Sequence, residues 1–221
     1  HPNILSFLGT CEFESYTVLV SYYMVNGNLA NYLQRNPLAD RDRLIYQVSQ
    51  ALAFLHNEAM IVHGDLKCEN VLVSDSRDAL LADFGLSTSV EKAESDNTTM
   101  TTIRTMHTSR FCAPEILDQV NIPEGTQLRS KTRKSDMYAF GMLLLQAYTG
   151  KQPWAGLSHT AVILRVAKGE IPSRPDPLPM SDFLWALCTM CWRFEPSSRP
   201  AIQGVVNFLE LHQMVKTSTV S

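Results

Sequence analysis

His63-Gly64-Asp65-Leu66-Lys67-Cys68-Glu69-Asn70, with Asp83-Phe84-Gly85 beginning thirteen residues after Asn70, is the stretch on which the reading of the whole chain turns. It brings together an acid, a cation and a side-chain amide, and a second carboxylate follows across a short segment. Metal-assisted phosphoryl transfer calls for that set. Asp65 is suited to orient an attacking hydroxyl and accept its proton, while Lys67 neutralises charge growing on the transferred group. Asn70 and Asp83 offer hard oxygens to magnesium, an ion that keeps much of its water and bridges phosphate oxygens. Each residue alone has a plainer reading: His63 as a core imidazole, Asp65 as a turn residue, Lys67 as a solvated charge, Asp83-Phe84-Gly85 as an ordinary turn. The signal lies in their combination and spacing.

Between the two motifs, Val71-Leu72-Val73 and Leu80-Leu81-Ala82 flank the polar residues 74–78, which predicts a small hairpin. Upstream, Leu44, Val48, Ala51, Leu52 and Leu55 recur at +4, +7, +8 and +11, one helical face that starts near Asp42 and ends near His56-Asn57. Before it, Tyr16-Thr-Val-Leu-Val-Ser-Tyr22-Tyr23 is β-branched and aromatic and runs into Asn26-Gly27-Asn28, a strand leading to a turn, with residues 4–10 as its candidate partner. Downstream, residues 87–109 are rich in Ser and Thr and poor in large apolar side chains. That predicts a long exposed loop, and loops of such length are usually functional. Residues 134–149 are apolar on nearly all sides, the pattern of a helix buried inside an α-rich lobe. Pro172, Pro175, Pro177 and Pro179 break the chain between helices expected over 158–168 and 181–192, and they read as a connecting loop rather than a PxxP ligand. Ile202, Val205, Val206 and Leu209 give the last helical face, after which the tail is expected to fray. There is no internal repeat.

The 221 residues, 45% of them hydrophobic and 19% charged, suffice for one large domain or two small ones sharing an interface. A net charge of −3 gives no electrostatic reason to expect nucleic acid as a partner. The longest uncharged apolar stretch, 137–148, is interrupted by Gly141 and Gln146 and falls short of the ~18 residues of a membrane span, so no membrane segment is expected. Five cysteines at irregular spacing make a poor disulfide framework and point to a reducing, intracellular and cytoplasmic setting. Cys188 and Cys191 lie in an apolar helical pattern without a second pair or a nearby histidine, which favours core packing over zinc. The chain opens on His1-Pro2-Asn3-Ile4 without an initiating Met or a signal segment, so it is expected to start inside a domain.

With their order and spacing, these motifs resemble the catalytic loop and DFG segment of the eukaryotic protein kinases. Ala113-Pro114-Glu115 falls where that family closes its activation segment. Residues 135–141, Ser-Asp-Met-Tyr-Ala-Phe-Gly, match the start of its buried central helix, and residues 191–200, Cys-Trp-Arg-Phe-Glu-Pro-Ser-Ser-Arg-Pro, match its late signature. The resemblance implies an α+β protein-kinase-like fold: a kinase domain over 1–213, with small-lobe strands and hinge at 1–25, a mainly helical large lobe at 26–213, and a tail at 214–221. It implies ATP and Mg2+ as cofactors and a protein substrate, with Asp65, Lys67, Asn70 and Asp83 catalytic and Asn70 and Asp83 on the metal. Adenine would be held by backbone groups at Tyr22 and Met24, with Leu72 beneath the ring and Ser21 as gatekeeper. Glu115 would pair with Arg199, Asp136 would accept from the backbone near His63, and Phe84 and Gly85 would complete the DFG turn. Lys67, two residues after Asp65, and Thr108, expected to reach Asp65 and Lys67, resemble the serine/threonine-specific pattern. The Cys-Trp…Arg-Pro ending and Asn26-Gly27-Asn28-Leu29 look tyrosine-kinase-like, and the mixture points to the tyrosine-kinase-like group of serine/threonine kinases.

Two departures stand out. No Gly-rich loop, strand lysine or helix glutamate precedes the motifs, so the kinase domain is expected to be truncated at its N-terminus and inactive in isolation. Gly64 stands where many family members have an Arg that collects a loop phosphate. Alongside the serine/threonine kinase, two other readings stay open: a pseudokinase or truncated scaffold that displays the helical lobe, and a small-molecule phosphotransferase. The sequence carries no signal of an oligomeric state.

Overall fold

The computed structural model of the chain describes residues 1–14, 16–84, 87–89, 109–117, 131–175 and 180–218. Gly85, Thr108, most of the Ser/Thr-rich loop and the end of the proline segment, with the expectations made for them, lie outside the described residues.

Strand β1 (Phe7–Phe13) pairs antiparallel with β2 (Tyr16–Ser21), Phe13 opposite Tyr16. The partner strand therefore lies three residues further along than residues 4–10. Ile4 bridges Leu81 instead. The buried Asn3 explains the shift: its side chain donates to the Ala79 carbonyl at 3.0 Å and its own carbonyl accepts the Leu81 N–H at 2.8 Å. The turn after β2 leads into a short helix that periodicity did not reveal, α1 (Leu29–Arg35), capped by Asn28, which accepts the Asn31 N–H at 2.9 Å. Its buried face is only Leu29, Tyr32 and Leu33, too few positions to make a repeat.

Helix α2 (Arg41–Asn57) is capped by Asp40 and buries the face predicted for it, including Leu44, Val48, Ala51, Leu52 and Leu55. After β3 (Ile61–Val62) come a 3-10 turn (Cys68–Asn70) and the hairpin β4 (Val71–Val73) and β5 (Ala79–Leu81), with Val71 opposite Leu81. The second hairpin strand starts one residue earlier than expected. Strand β6 (Thr88–Ser89) pairs with β3, so the expected exposed loop begins as a strand.

Helix α3 (Pro114–Leu117) precedes α4 (Arg133–Thr149), whose thirteen buried residues place it at the centre of the core. A reciprocal capping box starts α4: Thr132 accepts the Ser135 N–H, and Ser135 accepts the Thr132 N–H. Gly150, with φ +66°, ends it by donating to the Gln146 carbonyl. Helices α5 (His159–Ala167) and α6 (Asp182–Cys191) start at Ser158 and Ser181 caps, and α6 packs on α4 with Cys188 and Cys191 buried. Helix α7 (Ile202–Ser218) packs on α2 and continues past Leu209, where fraying was expected; residues 214–218 of the expected tail are helical. Asp42 at the start of α2 anchors that extension, accepting from Tyr148 and Lys216 while its carbonyl accepts from Gln213 at 3.2 Å. Seven helices and three two-stranded antiparallel sheets among the described residues form an α+β architecture. No helix of the described residues is long and apolar enough to cross a membrane.

Candidate active site

The His63–Asn70 segment lies between β3 and β4, and the first turn of α4 holds it from beneath. The buried carboxylate of Asp136 accepts the His63 N–H at 2.8 Å, the Gly64 N–H at 2.9 Å and His56 Nε2 at 2.8 Å. Burial by itself would raise the pKa of this carboxyl. The His56 hydrogen bond, the electrostatic influence of the His56 and His63 rings and the Gly64 N–H outweigh it and hold the group below its ordinary 3.8. His63 is fully buried: its Nδ1 accepts the Asp65 N–H at 3.2 Å, which leaves the proton on Nε2, donated to the Ala82 carbonyl at 3.0 Å. Burial pushes its pKa below 6.5 and keeps the ring neutral. Sequence reasoning missed His56, which is read there only as the end of a helix.

Asp65 projects from this braced backbone. Its Oδ2 accepts Lys67 Nζ at 2.7 Å and Asn70 Nδ2 at 2.9 Å, and the same Asn70 amide donates to the Asp65 carbonyl at 2.8 Å. Burial pulls the Asp65 pKa upward, but the Lys67 bond and charge, the Lys131 charge and the Asn70 bond overcome it and leave the carboxylate ionised below 3.8. Asp65 Oδ1 is buried with no hydrogen-bond partner among the described residues. The turn that carries these groups is fixed from α4 by Gln146. Its Oε1 accepts the Cys68 N–H at 3.3 Å and its Nε2 donates to Glu69 at 2.8 Å. The polar interruption of the apolar run is thus an anchor.

Asn70 and Asp83 are tied through the backbone, the Ala82 N–H donating to the Asn70 carbonyl at 2.9 Å. Asp83 is exposed and has φ +60°, a left-handed conformation unusual outside glycine, and Phe84 next to it packs its ring 5.3 Å from His63. The Asn70 amide nitrogen is engaged by Asp65, and Asn70 Oδ1 and the Asp83 carboxylate are hard oxygens of the kind a cation takes. Two protein oxygens suit magnesium held mainly through water and phosphate. Among the described residues there is no cluster of three or more His, Cys, Asp or Glu side chains arranged for a metal.

Ser21 and Tyr22 at the end of β2 are exposed, while Met24 and Leu72 are half-buried. The Met24 carbonyl accepts the Gly27 N–H at 2.9 Å, and the Asn28–Leu72 bridge joins this segment to β4. Far from Asp65 in sequence, Arg199 meets Glu115 in a bidentate pair, both contacts at 2.7 Å. Its remaining N–H groups donate to the carbonyls of Arg193, Lys134 and Phe194, and the guanidinium lies 5.2 Å over the Tyr138 ring. A fully buried guanidinium is thereby satisfied on all five donors. The pair ties the Ala113-Pro114-Glu115 segment to the helical core.

The family model described as protein tyrosine and serine/threonine kinase matches residues 1–209. The chain belongs to that family. It is similar to the serine/threonine/tyrosine-protein kinase HT1 of Arabidopsis thaliana, with 31% identity over 219 residues, 95% of this chain and 51% of that protein. It is also similar to the probable serine/threonine-protein kinase drkD of Dictyostelium discoideum, 31% identical over 95% of this chain and 15% of that protein. The dual specificity protein kinase pyk3 of the same organism is 31% identical over 95% of this chain and 14% of its own length. The chain thus spans about half or less of each of these relatives.

Proposed function

We propose that the chain is the catalytic lobe of a serine/threonine protein kinase, transferring the γ-phosphate of ATP to a Ser or Thr hydroxyl of a protein. The observation that carries this reading is the division of labour within Asp65: one oxygen is clamped by Lys67 and Asn70, while the other is buried and unpartnered among the described residues. A buried acceptor without a donor is costly, and a substrate hydroxyl supplies the missing donor while surrendering its proton to the same carboxylate. Lys67, already on Asp65, is close enough to offset charge growing on the transferred group. Asn70 and Asp83 would hold magnesium, which when bound would neutralise phosphate charge. Tyr22, Met24 and Leu72 would receive the adenine, with Ser21 behind it and Thr108 reaching toward Asp65 and Lys67. Residues 1–25 would serve as small-lobe strands and hinge, and 26–213 as the large lobe. Lys67 supports serine/threonine specificity. Five free cysteines, four of them buried, support a reducing intracellular setting.

The test compares Asp65→Asn and Asp83→Asn in a protein that joins this chain to a complete ATP-binding lobe, with phosphoamino-acid analysis of the product. Both variants should lose most transfer. Asp83→Asn should also weaken Mg-ATP binding, whereas Asp65→Asn should act mainly on turnover. Equal loss of nucleotide affinity in the two, or phosphate found only on tyrosine, would overturn the assignment.

A further inference from the structure

Gly64 has φ +81°, a backbone conformation that glycine tolerates and that no side chain of its own stabilises. It is held from outside on both faces by the start of α4. Its N–H goes to Asp136, and its carbonyl accepts the ammonium of Lys131. Lys131 directly precedes Thr132, whose reciprocal capping bonds with Ser135 fix the root of the lysine side chain. From there Lys131 and Gly64 line a small cleft together with Phe111, Cys112 and Asp136. The peptide unit is planar, so a cation that fixes the Gly64 carbonyl also fixes the Asp65 N–H on the other end of the same bond. That N–H is the one donated to His63 Nδ1. The Asp65 side chain leaves the backbone at the next atom.

We propose that Lys131 is a positioning residue for phosphoryl transfer: by holding the Gly64 carbonyl it locks the Gly64–Asp65 peptide plane and so aims the Asp65 carboxylate. The role rests on the reading of Asp65 as the proton acceptor. The contact itself does not. Nothing in the motifs marks Lys131, because it stands 66 residues beyond Asp65, outside every signature.

Gly64-Asp65 is the only Gly-Asp dipeptide in the chain, so carbonyl-13C glycine with 15N aspartate gives one resolved NMR signal that reports this peptide bond. In the 221-residue chain, Lys131→Met should shift the Gly64 carbonyl carbon upfield, as loss of a charged donor requires, and Lys131→Arg should bring it back. In the protein with a complete ATP-binding lobe, Lys131→Met should lower kcat about tenfold, the scale of one charge-assisted hydrogen bond. KM for ATP should stay within about twofold, and Lys131→Arg should restore kcat to within about threefold. An unmoved carbonyl signal in Lys131→Met overturns the contact and the proposal with it. A moved signal with unchanged kcat, or an equal loss in Lys131→Arg, overturns the positioning role. Absence of transfer in the unaltered protein overturns the reading of Asp65 and the positioning role together, leaving the contact standing.

Discussion

Three buried ionisable residues set how the fold responds to acid. Burial pushes His63 below its ordinary 6.5, and His212, stacked on Phe183, shifts the same way. As the pH falls through 6.5 the unfolded chain takes up protons that the folded chain refuses, so stability declines. Asp136 acts lower down. Its carboxyl is held below 3.8, so its contribution is present above that value and is lost as the pH falls through its lowered one. The urea midpoint of the chain should therefore fall in two stages on acidification, first below 6.5 and then more steeply below 3.8. A midpoint that rises between neutral pH and pH 5 would contradict these assignments. At the same scale, Arg199→Met should remove the bidentate guanidinium that holds the Glu115 carboxylate and cost about 3–5 kcal/mol. Urea titration of that variant measures the loss directly, and a change under 1 kcal/mol would show the pair to be dispensable.

The contact of α4 with α6 depends on a missing methyl group. A Cβ at Gly141 would stand 2.7 Å from Trp192 Nε1 and 2.8 Å from Cys191 Cβ, distances that the helices accommodate only by moving apart. Gly141→Ala should destabilise the chain by about 1–3 kcal/mol. The same substitution at Gly204, exposed in the first turn of α7 with nothing within 4 Å of its Cβ position, should raise stability by about 0.4–1 kcal/mol. Thermal melts of the two variants should move in opposite directions, and a downward shift in both would show that α7 does not tolerate a side chain there. Periodicity found α2 because a long face repeats, and α4 showed as a long run apolar on nearly all sides. Periodicity could not find α1, whose seven residues make barely two turns, nor the two-residue strands β3 and β6, which only each other's backbone defines.

Over the whole molecule, burial is graded. Helix α4 is buried along nearly its full length, whereas β1 and β2 carry Phe7, Phe13 and Tyr16 exposed, with Leu19 at 76%. A two-stranded hairpin with so little cover is marginally stable. Amide exchange in the 221-residue chain should be slowest in α4, approaching the global unfolding free energy, and fastest in β1 and β2 through local opening. Equal protection in the two would mean that the hairpin is covered in solution. Regulation also belongs to this scale. Gly64 has no side chain to gather a loop phosphate, and Lys131 beside it is already engaged by the Gly64 carbonyl. With a complete ATP-binding lobe, replacing Thr98, Thr99, Thr101, Thr102 and Thr105 by alanine should keep turnover within about threefold. A hundredfold loss, reversed by acidic replacements, would show that a basic residue does read a phosphate there.

Local chemistry determines what can be read from the chain alone. Asp65, Lys67, Asn70 and Asp83 stand out because phosphoryl transfer needs those functional groups close together along the chain, α2 stands out because burial of one face imposes a period, and α4 because burial on all sides makes it apolar throughout. The pairing of Glu115 with Arg199 and the seat of the loop on Asp136 were legible only by resemblance, since 84 and 73 residues separate the partners. His56 on Asp136 and Lys131 on the Gly64 carbonyl left no trace in any local pattern, and Gln146 under Cys68 showed only as a polar break in an apolar run. Each is a single polar side chain whose meaning comes from the backbone group it meets. Only the packing of α4 beneath the loop decides that meeting, because a buried N–H or carbonyl must find a partner and the nearest one is chosen in space, not in sequence.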